Sequence, residues 1–291
     1  MSVSSTPFND ALSKEIEARS VQAEDTREEI PRVFHIATIL VFTFLLLPVG
    51  VVVLAGLNAG NFLTFPPQGL SLRWVQAFLT SAMFIGSFLS SFALAALAGV
   101  TSTVLGTMTS LVLTRYQFPG RGLLSALFLS PIMLPGLVIG LGLYIYYISA
   151  VPILAKSFWG LLIGHIIVTM PYVVRTVSAS LYHFDLSLEE AARNLGAGPL
   201  KAFFQVTLPI IQPGIMAGSI FAFVMSFGQF DVSLFLSQPA FTPLPITMYE
   251  GLRFRYTPVV AAAGIFAIAL VATSILITSR LTDLKRFAGF E

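Results

Sequence analysis

The sequence predicts an all-α integral membrane protein, a bundle of six transmembrane helices with both termini in the cytoplasm. Three observations carry that prediction. Hydrophobic residues make up 56% of the 291 and charged residues only 10%, with a mean hydropathy of +0.86. Soluble domains carry about 25% charged residues, so this chain has too few to cover a water-facing surface. Next come the apolar runs: a bilayer core about 30 Å thick takes about 20 apolar residues per helix, and stretches 33–57, 83–113, 122–149, 158–181, 213–236 and 258–277 meet that need. Last is the placement of positive charge. Six spans put twelve Lys and Arg on the side of the termini and four (Arg73, Lys156, Arg253 and Arg255) on the other, and cytoplasmic loops are the ones rich in Lys and Arg.

The same numbers exclude other classes. A net charge of +2 gives no basic surface for nucleic acid, and the absence of cysteine removes disulfide frameworks and thiolate metal sites. His35, His165 and His183 have no metal-ligand spacing, so neither a metal nor a cofactor is expected. Continuous apolar runs favour helices over the alternating strands of a barrel.

Taken in order, residues 1–31 are polar, with seven Asp/Glu against three Lys/Arg, and read as a cytoplasmic extension. The start is acidic and the apolar run that follows is long, so the first span reads as an uncleaved anchor. After a turn at Phe65-Pro66-Pro67-Gln68-Gly69, Ser71 is placed to cap a short interfacial helix from Leu72 to Leu79. Spans two and three are long enough to tilt or break, and in span three Pro131, Pro135, Gly136, Gly140 and Gly142 suggest a break. Before span six, Pro239, Pro243 and Pro245 precede a short helix through Met248 and Leu252. The six-span domain thus covers 32–282, with a cytoplasmic loop at 185–211 and a short cytoplasmic tail at 283–291.

The loop between spans four and five carries the clearest local signals. Ser187 and Glu190 stand in capping-box spacing, and Glu189 and Glu190 sit in a first turn where the helix dipole favours negative charge. Gly196 follows in the position of a left-handed stop. A helix over Leu188–Leu195 is expected, exposing the small Ala191 and Ala192, and a second helix from Pro199 to Leu208. Pro209 and Pro213 are expected to turn the chain into span five.

Glu190-Ala191-Ala192, three residues, Gly196, nine residues, then Val206-Thr207-Leu208-Pro209 resembles the EAA signature of binding-protein-dependent ABC importer permeases. That signature reads EAA, then G, then I, any residue, LP at the same spacing, and Val206 for Ile is the departure. The resemblance covers nearly the whole chain. Phe65–Trp74, Met170–Arg175 and Leu244-Pro245 look most like the spermidine/putrescine permease group. It implies a type I importer half in the bacterial inner membrane, embedded in lipid. Ser187, Glu189, Glu190, Ala191, Ala192, Gly196, Leu208 and Pro209 would belong to a coupling element that docks on cytoplasmic ATPase subunits. A second permease subunit and a periplasmic substrate-binding protein would complete the importer. The chain has no Gly-Lys pair and hence no phosphate loop, so it is not itself expected to be an enzyme.

Polar residues within spans are the candidates for a small-molecule pathway. Asp231, placed in the second half of span five, has two readings: a cavity carboxylate that attracts a cation, or a helix-end residue solvated or paired near the outer interface. The polyamine group shows an acidic pair in this segment, whereas Gly228 and Gln229 stand here, which leaves a small organic anion as an alternative solute. His165 is a pathway candidate whose competing reading is a hydrogen bond to a neighbouring helix. An intramembrane enzyme would need His-Glu-x-x-His, Gly-x-Ser-x-Gly or paired carboxylates, and the sequence has none. A non-transporting assembly subunit remains the rival of a transporting one.

Overall fold

The computed structural model describes residues 32–64, 66–254 and 257–287, with side chains described for 33–64, 66–254, 257–278 and 280. The 1–31 extension, Phe65, Arg255 and the last four residues of the expected tail lie outside the described residues. Among the described residues the structure is helical, with only isolated bridges between extended segments. The chain separates into one unit through Val51 and another from Val52. The first holds most of α1 (Arg32–Gly56), an apolar helix whose side chains from Val33 to Leu47 are exposed, as a lipid-facing helix requires.

In the second unit, α2 (Arg73–Thr80) leads into α3 (Ala82–Arg115). Then come α4 (Arg121–Met133), α5 (Gly136–Ala150) and α6 (Phe158–Tyr182). After the loop helix α7 (Leu186–Asn194) and α8 (Pro199–Ala202), α9 (Leu208–Phe227) is followed by α10 (Asp231–Leu236), α11 (Leu244–Phe254) and α12 (Val259–Phe287). Among the described residues, five helices are long and apolar enough to cross a membrane, and α4 with α5 makes a sixth candidate bent by 110°. The bend falls at Leu134-Pro135. Proline lacks an N–H and disfavours helical geometry in the residue before it, so the ladder stops at Met133 and restarts at Gly136.

The centre of this unit is the packing of α3, α6 and α9 on one another. No hydrophobic force joins helices in lipid, so close backbone approach and interhelical hydrogen bonds must do it. A Cβ on Gly106 of α3 would lie 2.8 Å from Val173 of α6, and one on Gly218 of α9 would lie 2.5 Å from Thr176 of α6. Hydroxyls complete the seam: Ser102 meets Thr169 at 2.8 Å, Thr103 donates to Ser219 at 2.9 Å, and Ser110 donates to the Val174 carbonyl at 3.0 Å. At 1.5 Å per residue α3 is about 50 Å long, so part of it stands outside the hydrocarbon core. Its last residue, Arg115, projects at the end nearest the 185–211 loop.

Three expectations are corrected here. The short helix after Ser71 starts at Arg73, and Ser71 accepts from its N–H without acting as the formal cap. The 199–208 segment does not end before Pro209. Helical structure is continuous from Pro199 to Phe227, through a wide π-turn at Phe203–Thr207 and on past Pro209 and Pro213. The π-turn explains this, because it widens the backbone immediately ahead of a proline whose ring would otherwise meet the carbonyl of the preceding turn. Span five, expected to reach Leu236, stops at Phe227; Gly228–Phe230 break it, and α10 is a separate helix.

Candidate functional site: the 185–211 loop and the span-five break

The loop helix is capped by Asp185 rather than by Ser187. The Asp185 carboxylate accepts from the Ser187 N–H at 2.9 Å, and that bond holds its pKa below the usual value. The helix therefore begins at Leu186, two residues earlier than expected. An aspartate at this position satisfies an orphan donor as a serine would, and the sequence offered both. The stop is where Gly196 placed it. Its φ is +91°, its N–H donates to the Arg193 carbonyl at 2.9 Å, and the Ala197 N–H reaches the Ala192 carbonyl at 3.1 Å. These two bonds make a Schellman cap.

Glu189 and Glu190 are neighbours with opposite fates. A helix turns about 100° per residue, so the two carboxylates face different ways. Glu190 is exposed with Ala191, Leu188 and Leu195, whereas Glu189 is only 5% exposed. Its Oε2 pairs with the Arg115 guanidinium at 2.7 Å and accepts from the Thr207 hydroxyl at 2.7 Å; Oε1 pairs with Arg193 at 2.8 Å. Arg115 also donates to the Thr207 oxygen at 3.1 Å and lies over the Phe184 ring at 5.8 Å. Burial pushes the Glu189 carboxyl up, but the hydrogen bonds from Thr207 and Arg115 and the charges of Arg115 and Arg193 outweigh it and hold the pKa below the usual value. Of the remaining loop residues, Ala192 and Leu208 are half-buried, while Ser187 and Pro209 are exposed.

At the other end of the bundle, His165 of α6 is fully buried between two serines. Ser226, at the end of α9, lies 2.8 Å from Nδ1, and Ser233 of α10 lies 3.0 Å from Nε2. Ser233 gives its proton to the Gln229 carbonyl at 2.7 Å, so it accepts from Nε2–H, and Ser226 then donates to Nδ1. One neutral imidazole thus joins α6 to both sides of the span-five break. Asp231 is half-buried in the first turn of α10. It also lies against the first residue of α5: a Cβ on Gly136 would come 2.5 Å from its Oδ2. Two helix N-termini therefore face one carboxylate, a favourable electrostatic setting. Gln229 is half-buried, and its backbone N–H donates to the Ser226 carbonyl at 3.2 Å. Sequence reasoning missed Arg115 and Thr207 as partners of the loop, since they lie 74 residues before and 18 after Glu189. The Glu189–Arg193 pair was available from its i, i+4 spacing.

A multi-helix membrane protein with a doubly capped loop helix ahead of its penultimate span defines the class, and the comparisons agree. The chain belongs to the family described as binding-protein-dependent transport system inner membrane component, whose model matches residues 102–286. It is 29% identical over 238 residues to the putrescine transport system permease protein PotI of Escherichia coli K12, covering 80% of this chain and 84% of that one. To the sulfate transport system permease protein CysT of Salmonella typhimurium it is 30% identical over 229 residues, covering 74% and 83%. Among solved structures it is similar to a chain of a bacterial ABC transporter that imports the acidic polysaccharide alginate, with a TM-score of 0.65, 17% identity and coverage of 90% and 99%. The MetNI methionine ABC transporter gives a TM-score of 0.57 at 16% identity, covering 69% and 94%. The type I importer permease fold is shared with both, and the chain is a multi-pass inner-membrane transport component rather than a catalytic enzyme.

Proposed function

We propose that this chain is one transmembrane half of an ATP-driven importer, that loop 185–211 and both termini lie in the cytoplasm, and that α7 docks on a separate ATPase subunit. One observation carries the reading: α7 is stopped at both ends by its own caps, held from behind through Glu189, and presents Leu188, Glu190, Ala191 and Leu195 outward. A free-standing surface helix has no reason to expose leucines beside small residues, whereas a docking helix does, because small side chains permit close approach. ATP is bound and cleaved on the partner, consistent with the missing phosphate loop. A second permease subunit and a periplasmic binding protein complete the assembly, and closure of the ATPases rocks the spans.

Two solute classes follow from different observations. Likeness to PotI supports a polyamine-like cation. The uncharged Gly228-Gln229 segment and the similar identity to CysT support a small anion instead. ATP turnover by the complete complex in lipid nanodiscs, with its binding protein, tests both against putrescine, spermidine, sulfate and small organic acids. Stimulation by one class assigns the substrate. An intact assembly whose turnover responds to no solute and is unlinked to transport supports the assembly-subunit reading instead.

A further inference from the structure

The coupling reading says where force enters the chain but not how it leaves α7. The backbone leaves α7 through Gly196-Ala197-Gly198, where the Schellman cap satisfies the helix end but no side chain larger than a methyl is available to grip a neighbour. The alternative is a side-chain connection, and Glu189 supplies it. Its two oxygens are engaged by three groups from three places: Arg115 at the end of α3, Arg193 on α7 itself, and Thr207 in the π-turn at the base of α9. The carboxylate is buried, Arg115 is mostly buried at 20% side-chain exposure, and Arg193 is half exposed at 50%. The bonds that leave α7 are therefore the shielded ones. Removing one partner of a buried pair strands the other charge, which makes such a link hard to open once formed. On its other side the Arg115 guanidinium sits over the Phe184 ring, between α6 and α7.

We propose that Glu189 is a positioning residue that fastens α7 to α3 and α9 at once, so that these three elements move as one body when α7 is displaced. Resting on the coupling reading, this inference adds the path of motion: into the two helices that pack on α6 to form the centre of the bundle, bypassing the glycine-rich exit of the loop. Glu190, one residue on, points away from this anchor and is left for the docking surface.

The chain has no cysteine, so a spin-label pair can be placed on it before assembly without labelling any other of its positions. Labels at Asn194→Cys on α7 and Val112→Cys on α3, both exposed, report their separation by pulsed electron resonance in the assembled complex, with and without ATP and vanadate. The expected result is a mean distance that changes by less than about 2 Å between states, and a shift of about 5 Å, one helical turn, overturns the proposal. Glu189→Gln should broaden the distance distribution about twofold, as local opening does, while Arg193→Ala, which cuts only the exposed arm, should leave it narrow. Thr207→Val removes one hydrogen bond and gives the same broadening to a lesser degree, which keeps the test alive where Glu189→Gln fails to assemble. Unchanged widths in the variants that do assemble overturn the proposal. The coupling reading fails separately: a complex in which a cross-linker on Ala191→Cys never reaches the ATPase removes docking, whatever the α7–α3 distance does.

Discussion

Glu189 and His165 sit in two buried polar clusters of opposite kind. Around Glu189 a charge is held by charges, with two guanidinium groups and a hydroxyl on one carboxylate. Around His165 there is no formal charge, only an imidazole between two serine hydroxyls. The difference follows depth. Within the span region an ion is expensive to desolvate, so helices are joined there by neutral donors and acceptors. At the end of α3, where Arg193 still reaches solvent, the desolvation cost is smaller and an ionic link becomes usable. The neutral cluster holds a break in place, while the ionic one ties together elements that move.

The largest effect on uptake is expected at Gly196. Its φ of +91° excludes β-branched side chains on backbone grounds alone, since a Cβ there would meet nothing within 4 Å. Gly196→Val should lower uptake by about tenfold or more, in line with a strain of about 1–2 kcal/mol at the helix stop, whereas Gly196→Asn, which tolerates the left-handed region, should retain most of it. Equal losses in both variants would show that bulk, not backbone, matters.

On stability the largest effect is expected from Arg115→Ala, which should cost about 3–5 kcal/mol because Glu189 is left buried without its main partner. Arg193→Ala at the exposed arm should cost under about 1 kcal/mol. Thermal unfolding in detergent reads both, and similar losses would contradict the asymmetric anchor. His165→Ala should cost about 1–3 kcal/mol, since it strands two serine hydroxyls, and His165→Gln should recover part of that.

Two smaller effects complete the series. Because the Glu189 pKa is held below its usual value, its contribution is present above the unfolded carboxylate pKa and is lost as pH falls through the lower folded-state value. The pH dependence of stability that comes from Glu189 should therefore appear only in acid, where the wild-type advantage over Glu189→Gln should shrink, while staying constant at neutral pH. The smallest effect is Asp231→Asn, expected to cost about 0.3–1 kcal/mol as the interaction with two helix N-termini weakens, with the substrate KM unchanged. A selective rise in KM for a cation would move Asp231 into the pathway.

Much of this was legible in the sequence because it depends on local chemistry. Span four was read as 158–181 and found as Phe158–Tyr182, because Ser157 caps it and its apolar run has no competitor. The Gly196 stop was legible for the same reason: few residues other than glycine sit comfortably at that backbone angle. The Asp185 cap was misassigned because two capping residues stood two apart. Missed features were those fixed by tertiary contact. The end of span five at Phe227 left a trace in the sequence, the Gly228-Gln229-Phe230-Asp231 stretch, but the apolar residues that resume at Val232 mask it as far as Leu236. That end is set by Ser226 and Ser233 meeting His165, and by α10 closing on Gly136 and Gly140, where a Cβ on Gly140 would lie 3.0 Å from Asp231 and Val232. Arg115 was counted only as a charge on one side of the membrane, and its role as the partner of Glu189 needed the fold.

Docking of an ATPase subunit on α7 is tested by site-specific cross-linking from Ala191→Cys in the assembled complex, with Ala240→Cys, in the loop before α11, as the control. Docking requires a cross-link from position 191 to the ATPase subunit, none from position 240, and loss of ATP-driven uptake once the 191 link forms. A link from position 240, or free uptake with α7 covalently fixed, would contradict it.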